Sequence, residues 1–173
     1  QPASLRENTY LGAHNERGDD VINFRAWDFY YTLIQHTNIA IRGFKKTLTE
    51  EERKDKKIRY SVGEAYAFRA YAYHQLVQLY AKRYNASTAA SDPGVVMRTD
   101  EATNAQLYEK ARRGTVAEAY ELIESDLKMA METLKDLDQN NSRNHLRYST
   151  VCGIAARVAL CKSDWAAAET YAK

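Results

Sequence analysis

Gly63-Glu64-Ala65-Tyr66-Ala67-Phe68-Arg69-Ala70-Tyr71-Ala72-Tyr73-His74-Gln75-Leu76-Val77-Gln78-Leu79-Tyr80 combines an unbroken helical pattern with an aromatic content far above that of an ordinary helix. Ala65, Ala67, Ala70 and Ala72 keep one helix slim, while Tyr66, Phe68, Tyr71, Tyr73 and Tyr80 project as large knobs. Helices in arrays of helical hairpins pack closely in this way. The segment carries no catalytic motif. Gly63 is the one weak point between Ile58 and Tyr80. With no other turn signal nearby, it is expected inside the helix at a close crossing, although glycine there costs roughly 1 kcal/mol relative to alanine.

Working outward, a helix is expected from about Phe24 to Lys46, with Asn23 as its cap. Trp27, Tyr30, Tyr31, Ile34, Ile41 and Phe44 fall on one face of it at steps of three and four. Thr49 and Glu52 spell a capping box for the long second helix, which carries Ile58, Val62, Ala65, Tyr66, Tyr73, Leu76 and Tyr80 and runs to about Tyr84. The short connection makes the two an antiparallel hairpin. Residues 85–113 break the pattern with Ser87, Thr88, Ser91, Asp92, Pro93 and Gly94, and Val95-Val96-Met97 fits a brief extended segment.

Thr115 and Glu118 form a second capping box. Val116, Tyr120, Ile123, Leu127, Ala130, Leu134 and Leu137 then alternate steps of four and three. After the polar turn Gln139-Asn140-Asn141-Ser142, a helix from about Ser149 to Lys162 turns Val151, Ile154, Ala155, Val158 and Cys161 inward, and Ser163-Asp164 caps the next one. The stretch from Ala155 to Ala172 reads as the helix, turn and second helix of a tetratricopeptide unit. The expected fold class is therefore all-α, tetratricopeptide-like: a loop over 1–23, a helical hairpin over 24–84, a long loop over 85–113 and helices over 115–173.

At 173 residues, with 45% hydrophobic and 28% charged side chains, the chain can build one soluble core. Lys173 follows only about two and a half turns after Trp165, which reads as a fragment of a larger protein. A balance of 25 Lys+Arg against 23 Asp+Glu leaves +2, too little for the electrostatic footprint of a nucleic-acid binder. The basic concentration Lys45, Lys46, Arg53, Lys54, Lys56, Lys57 and Arg59 is interleaved with Glu50, Glu51, Glu52 and Asp55, and reads as a solvated helix start. No apolar run approaches the ~18 residues of a membrane span. Cys152 and Cys161 lie ~13.5 Å apart along one helix and on opposite faces, beyond disulfide reach.

The ordered blocks resemble the SusD/RagB family, surface lipoproteins that Bacteroidetes use to capture glycans beside an outer-membrane transporter. Asn38 sits as in that family's tryptophan-led first helix, and Gly63 to Tyr80 looks like its central motif of Glu, Ala, aromatic, Arg, Ala and Tyr-rich turns. Pro93-Gly94-Val95-Val96 is similar, in altered order, to the family's Gly-Val-Pro-type segment. Arg113, Thr115, Val116, Glu118, Tyr120, Ile123, Asp126, Leu127 and Ala130 follow the next block, and Arg157, Leu160, Asp164, Trp165, Ala168 and Ala172 the last. The family's large C-terminal half has no counterpart in this sequence.

The resemblance implies noncatalytic capture of oligosaccharide or polysaccharide at the extracellular face of the outer membrane. It also implies a TonB-dependent transporter as partner, no cofactor, and membrane association through a lipid anchor outside this sequence. Its nearest ligand-binding candidates are the loop residues Tyr10, Asp19, Asp20 and Asn23. Sugar sites pair an aromatic surface with fixed hydrogen-bonding groups, and these residue types supply both. The alternative is a tetratricopeptide-type scaffold for a protein or peptide, with an enzyme third.

Nothing in the sequence asks for an enzyme or a metal. His14, His36, His74 and His145 are scattered, and no His-Glu-x-x-His, Gly-x-Ser-x-Gly, phosphate-loop or calcium-loop spacing occurs. The pair Asp19-Asp20 reads more simply as a cap and helix-dipole partner than as a cation site. Trp27 falls on the inward stripe and reads as core rather than sugar platform. Arg69 and Arg157 stand among small and aromatic residues on helices expected to be internal, and Glu64 and Asp126 are their candidate counter-ions.

Overall fold

A computed structural model describes residues 21–100, 111–137 and 145–173, with the side chains of 21–24 outside the description. Five α-helices dominate these residues: α1 (Val21–Lys46), α2 (Lys56–Tyr80), α3 (Val116–Leu134), α4 (Tyr148–Cys161) and α5 (Trp165–Ala172). Two short strands, β1 (Pro93–Val96) and β2 (Arg113–Thr115), pair antiparallel with an irregular register between Pro93↔Thr115 and Val96↔Arg113. The long connection expected to be a loop is thus partly a ribbon.

Two helix boundaries differ from the sequence expectation. The backbone of Asn23 is already helical, since α1 begins at Val21, so Asn23 does not cap it. The Thr49–Glu52 box does form, with Thr49 N–H donating to Glu52 Oε2 at 2.8 Å and Glu52 N–H to Thr49 Oγ1 at 3.3 Å. It starts only a 3-10 turn, Glu52–Lys54. Asp55 caps α2 instead, accepting from the N–H groups of Lys57 at 2.8 Å and Ile58 at 3.1 Å. At the other end Ala81 turns extended, which stops the helix four residues before Tyr84.

The stripe expected on α3 is the surest part of the core: Val116, Tyr120, Ile123, Leu127, Ala130, Leu134 and Leu137 are all buried. Full burial of a Leu or Ile side chain contributes about 1.5–3 kcal/mol. The Thr115–Glu118 box is complete. The turn residues ahead of it contribute further: Val116 N–H donates to Asp92 O and Ala117 N–H to Ala89 O, both at 3.0 Å. Donors that a helix start would otherwise leave open are therefore met by residues 89–92.

Gly63 lies inside α2, as the pattern required. A methyl group there would come within 2.8 Å of Leu134 Cγ and Cδ2, so α2 and α3 meet as closely as they do only because position 63 has no side chain. At Gly94 an added Cβ would lie 2.4 Å from Thr115 O, which makes glycine necessary where β1 crosses β2.

The contacts place the helices in order. Trp27 against Tyr80 and Asn38 against Arg69 show that α1 and α2 are antiparallel. Tyr60 Oη donates to Leu146 O at 2.6 Å and Gln78 Nε2 to Cys161 Sγ at 3.3 Å, so α4 starts where α2 starts and ends where α2 ends. Helices α2–α3 and α4–α5 are thus two successive hairpins in parallel register, a tetratricopeptide-like arrangement. The turn between α4 and α5 closes with Asp164 N–H on Ala159 O at 2.9 Å, and Ser163 takes the left-handed position with φ 61°. Asp164 then caps α5 through Ala167 N–H at 3.0 Å. Both cysteines are free thiols.

Candidate functional site

The start of α1 and the end of α2 carry an aromatic cluster. Trp27 is half-buried, with its ring 4.6 Å from Tyr31 and edge-on to Tyr80 at 5.0 Å. It packs against the core, as its place on the stripe implied. Tyr30 meets Tyr71 at 6.4 Å and Phe29 at 5.2 Å. Phe29 is 62% exposed, the aromatic surface that the sequence reading passed over because it lies off the apolar stripe. It stands six residues beyond Asn23, ~9 Å along the helix.

Behind this surface, residues 96–100 are fixed by side chains from two helices. Tyr31 Oη donates to Val96 O at 2.7 Å, and Asn38 Nδ2 to Arg98 O at 3.0 Å. Tyr73 Oη both donates to Arg98 O at 2.5 Å and accepts from Arg98 N–H at 2.6 Å. Arg42 Nε donates to Asp100 O at 2.9 Å. Burial pushes the Tyr31 phenol up to about 12, so it remains a protonated donor at any physiological pH.

The charge centre of the fold lies beneath that segment. Arg69, 3% exposed, donates through Nε and Nη2 to the two carboxylate oxygens of Asp126, both at 2.7 Å. Its Nη1 reaches Asp100 Oδ1 and Asn38 Oδ1, each at 2.7 Å, and Lys45 Nζ holds Asp100 Oδ2 at 2.7 Å. Two cations thus face two carboxylates, the condition for holding charge in a low-dielectric interior. Burial works to raise the pKa of Asp100, but the hydrogen bonds from Arg69 and Lys45 outweigh it and lower the group to about 2. For Asp126 burial prevails and pushes the carboxyl up against the pull of Arg69.

Two sequence expectations are corrected here. Asp126 is the counter-ion of Arg69 as expected, but Glu64 is not. Glu64 accepts from Leu146 N–H at 2.8 Å and faces His145 at 3.2 Å, fixing the start of α4. Its place is taken by Asp100, which no helical periodicity could have placed because it sits in a connection. Arg157, expected on an internal helix with a carboxylate counter-ion, is exposed on the outer face of α4, whose expected inward residues Val151, Ala155 and Val158 are buried.

His74 is 2% exposed, edge-on to Tyr120 at 6.2 Å, and its Nε2 has no hydrogen-bond partner. Burial, reinforced by the charge of Arg157, lowers its pKa to about 4, so it is a neutral packing residue. Among the described residues no group of three or more His, Cys, Asp or Glu is arranged to hold a metal, and no helix is long and apolar enough to cross a membrane. The basic run behaves as a solvated helix start, with Lys54 paired to Glu51 at the surface. Lys45 is drawn in to Asp100, and Arg53 packs over the Phe44 ring and donates through Nη2 to Lys45 O at 2.5 Å. Of the ligand candidates, Tyr10, Asp19 and Asp20 lie outside the described residues, as does the side chain of Asn23, whose backbone is in the first turn of α1.

Residues 3–160 match a SusD-like family model described as starch-binding and associating with the outer membrane. The chain belongs to the SusD-like family. Solved structures of the same class share its fold. A SusD superfamily protein from Bacteroides thetaiotaomicron is 25% identical with a TM-score of 0.72, over 84% of this chain and 30% of that one. One from Bacteroides fragilis is 27% identical with a TM-score of 0.71, over 88% and 34%. A laminarin-binding SusD-like protein, 18% identical with a TM-score of 0.65 over 85% and 28%, has the same fold. The chain therefore spans about a third of the length of these relatives. No curated protein matches it.

Proposed function

We propose that this protein captures oligosaccharide or polysaccharide without cleaving it, at the extracellular face of an outer membrane and beside a TonB-dependent transporter. The observation that carries the reading is the match of residues 3–160 to a family described as starch-binding and associating with the outer membrane. The laminarin-binding neighbour supports the same ligand class. In this reading the chain is the helical-repeat part of a longer lipid-anchored protein. Tyr10, Asp19, Asp20 and Asn23 supply sugar contacts, and Phe29, exposed on α1, offers a further aromatic face.

An aromatic ring offers a face against which sugar C–H groups pack, and acidic and amide side chains replace the hydration of hydroxyls. The noncatalytic part rests on the family and on the sequence. Glycoside hydrolysis generally needs two carboxyl groups ~5–9.5 Å apart across the scissile bond, and the neighbouring pair Asp19-Asp20 does not spell such an arrangement. The test is a panel of soluble glucans and other glycans presented to the full-length protein, with reducing ends assayed in parallel. Saturable binding with no release of reducing ends supports the reading. Binding of peptides and of no glycan moves the function to a protein scaffold.

A further inference from the structure

A cleft of about 440 Å³ lies between the residues that follow α2 and the turn that joins α4 to α5. Arg83, Tyr84, Asn85 and Ala86 line one side of it, and Lys162 and Ser163 the other. The volume falls within the roughly 300–1,000 Å³ of small-molecule sites. The cleft stands at the end of the fold where α1 starts, since Tyr80, three residues before Arg83, meets Trp27.

The polar side chains of this lining are donors. Asn85 Oδ1 accepts from Ser87 N–H at 3.0 Å and from Ser87 Oγ at 2.8 Å, which fixes the orientation of the amide and leaves Nδ2 to donate. Ser163 adds a hydroxyl from a left-handed residue, φ 61°, where glycine is the ordinary choice. Tyr84 forms a firm wall, its ring edge-on to Tyr120 at 5.0 Å and 5.4 Å from Lys162 Nζ.

The charges do not balance. Lys162 Nζ pairs with Glu124 Oε1 at 2.5 Å. Arg83 is exposed and has no carboxylate partner among the described residues, so its charge is the uncompensated one. A guanidinium with an amide N–H and a hydroxyl beside it matches the oxygens of an anion, to which it gives charge-assisted hydrogen bonds. A neutral sugar would leave that charge unmet.

We propose that this cleft binds the anionic substituent of an acidic saccharide, a carboxylate or a sulfate ester, with Arg83 as the charged contact and Asn85 Nδ2 and Ser163 Oγ beside it. The proposal rests on the glycan-capture reading and gives the ligand a charge that starch and laminarin lack.

Calorimetry of the full-length protein tests it with oligogalacturonate, its carboxyl-reduced neutral form, a sulfated dextran oligosaccharide and the unsulfated parent. At least one acidic glycan is expected to bind about tenfold or more tighter than its neutral counterpart, and which one does so says whether the anion is carboxylate or sulfate. Arg83→Gln is expected to weaken that binding by about tenfold or more, with the urea midpoint unchanged because the side chain is exposed and unpaired. Lys54→Gln makes the same charge change before the start of α2, at the opposite end of the helix, and is expected to leave the affinity within about twofold.

No preference for either acidic glycan over its neutral form overturns the proposal, as does an affinity unchanged by Arg83→Gln. An equal loss in the Lys54→Gln protein overturns it too, since the attraction is then to net charge and not to the cleft. Neutral glycans bound without any preference for acidic ones leave the wider reading standing, whereas no glycan bound at all removes both.

Discussion

Arg69 and Asp126 form a two-point ion pair between α2 and α3, with Nε to Oδ2 and Nη2 to Oδ1 both at 2.7 Å. The pair stands 57 residues apart in sequence and welds the two helices that make the largest contact in the fold. Replacing Asp126 with Asn leaves a buried guanidinium short of charge, so Asp126→Asn is expected to destabilise the protein by about 3–5 kcal/mol. Urea unfolding of the full-length protein checks this. The double variant Arg69→Met, Asp126→Leu is expected to recover part of the loss, since the uncompensated charge is gone, and a double variant worse than either single one would contradict the assignment.

Gly63→Ala should also destabilise, because the new methyl meets Leu134 in a packed interior. Overpacking costs about 1–3 kcal/mol, against roughly 1 kcal/mol gained in helix propensity. In a Leu134→Ala background the same substitution should become neutral or stabilising. A double-mutant cycle measured by thermal unfolding reads that reversal.

His74 makes stability pH-dependent in a defined window. Its pKa falls from the ordinary 6.5 to about 4 in the fold, so the unfolded chain binds the proton more readily. The contribution is full above about 6.5 and is lost as pH falls toward 4. His74→Phe should flatten the slope of unfolding free energy against pH in that interval while leaving the slope above pH 7 unchanged. A slope unaltered between pH 6.5 and 4 would count against a buried neutral histidine. Asp100 acts lower on the scale, with a contribution held above the ordinary carboxylate value of 3.8 and lost as pH falls through about 2.

Tyr73→Phe removes a phenol that both donates to and accepts from the backbone of Arg98. The backbone N–H of Arg98 loses its bond to the phenol, while the carbonyl keeps Asn38 Nδ2 at 3.0 Å, a cost of about 1–3 kcal/mol. Hydrogen exchange at residues 96–98 in the full-length protein should quicken, with α3 unaffected. If protection across 96–98 is retained, the tyrosine is not what fixes the segment.

Much of this fold was legible because helical periodicity is a local signal. The stripe from Val116 to Leu137 needed only the sequence, and so did Gly63, whose neighbours left no alternative to a helix. The misses share a cause. Asp100 took the place expected of Glu64 because the partner of a buried arginine is chosen by tertiary approach, and residue 100 sits on a connection with no period. Asp55 displaced the Thr49–Glu52 box at the head of α2 because two capping signals six residues apart compete, and only the backbone geometry of the turn decides between them. Phe29 was overlooked because exposure, not periodicity, makes it interesting. Membership of the SusD-like family was readable from the ordered blocks, each unspecific alone.

The central claim is carbohydrate capture through the segment that leads into α1. Titration calorimetry of the full-length protein with the tightest-binding glycan from the panel, repeated for a variant with Tyr10, Asp19, Asp20 and Asn23 all changed to Ala, tests it most directly. The account predicts saturable binding by the unmutated protein and a loss of at least tenfold in affinity for the variant, with an unchanged urea midpoint. Equal affinity in the two proteins, or no glycan bound by the unmutated one, would contradict it.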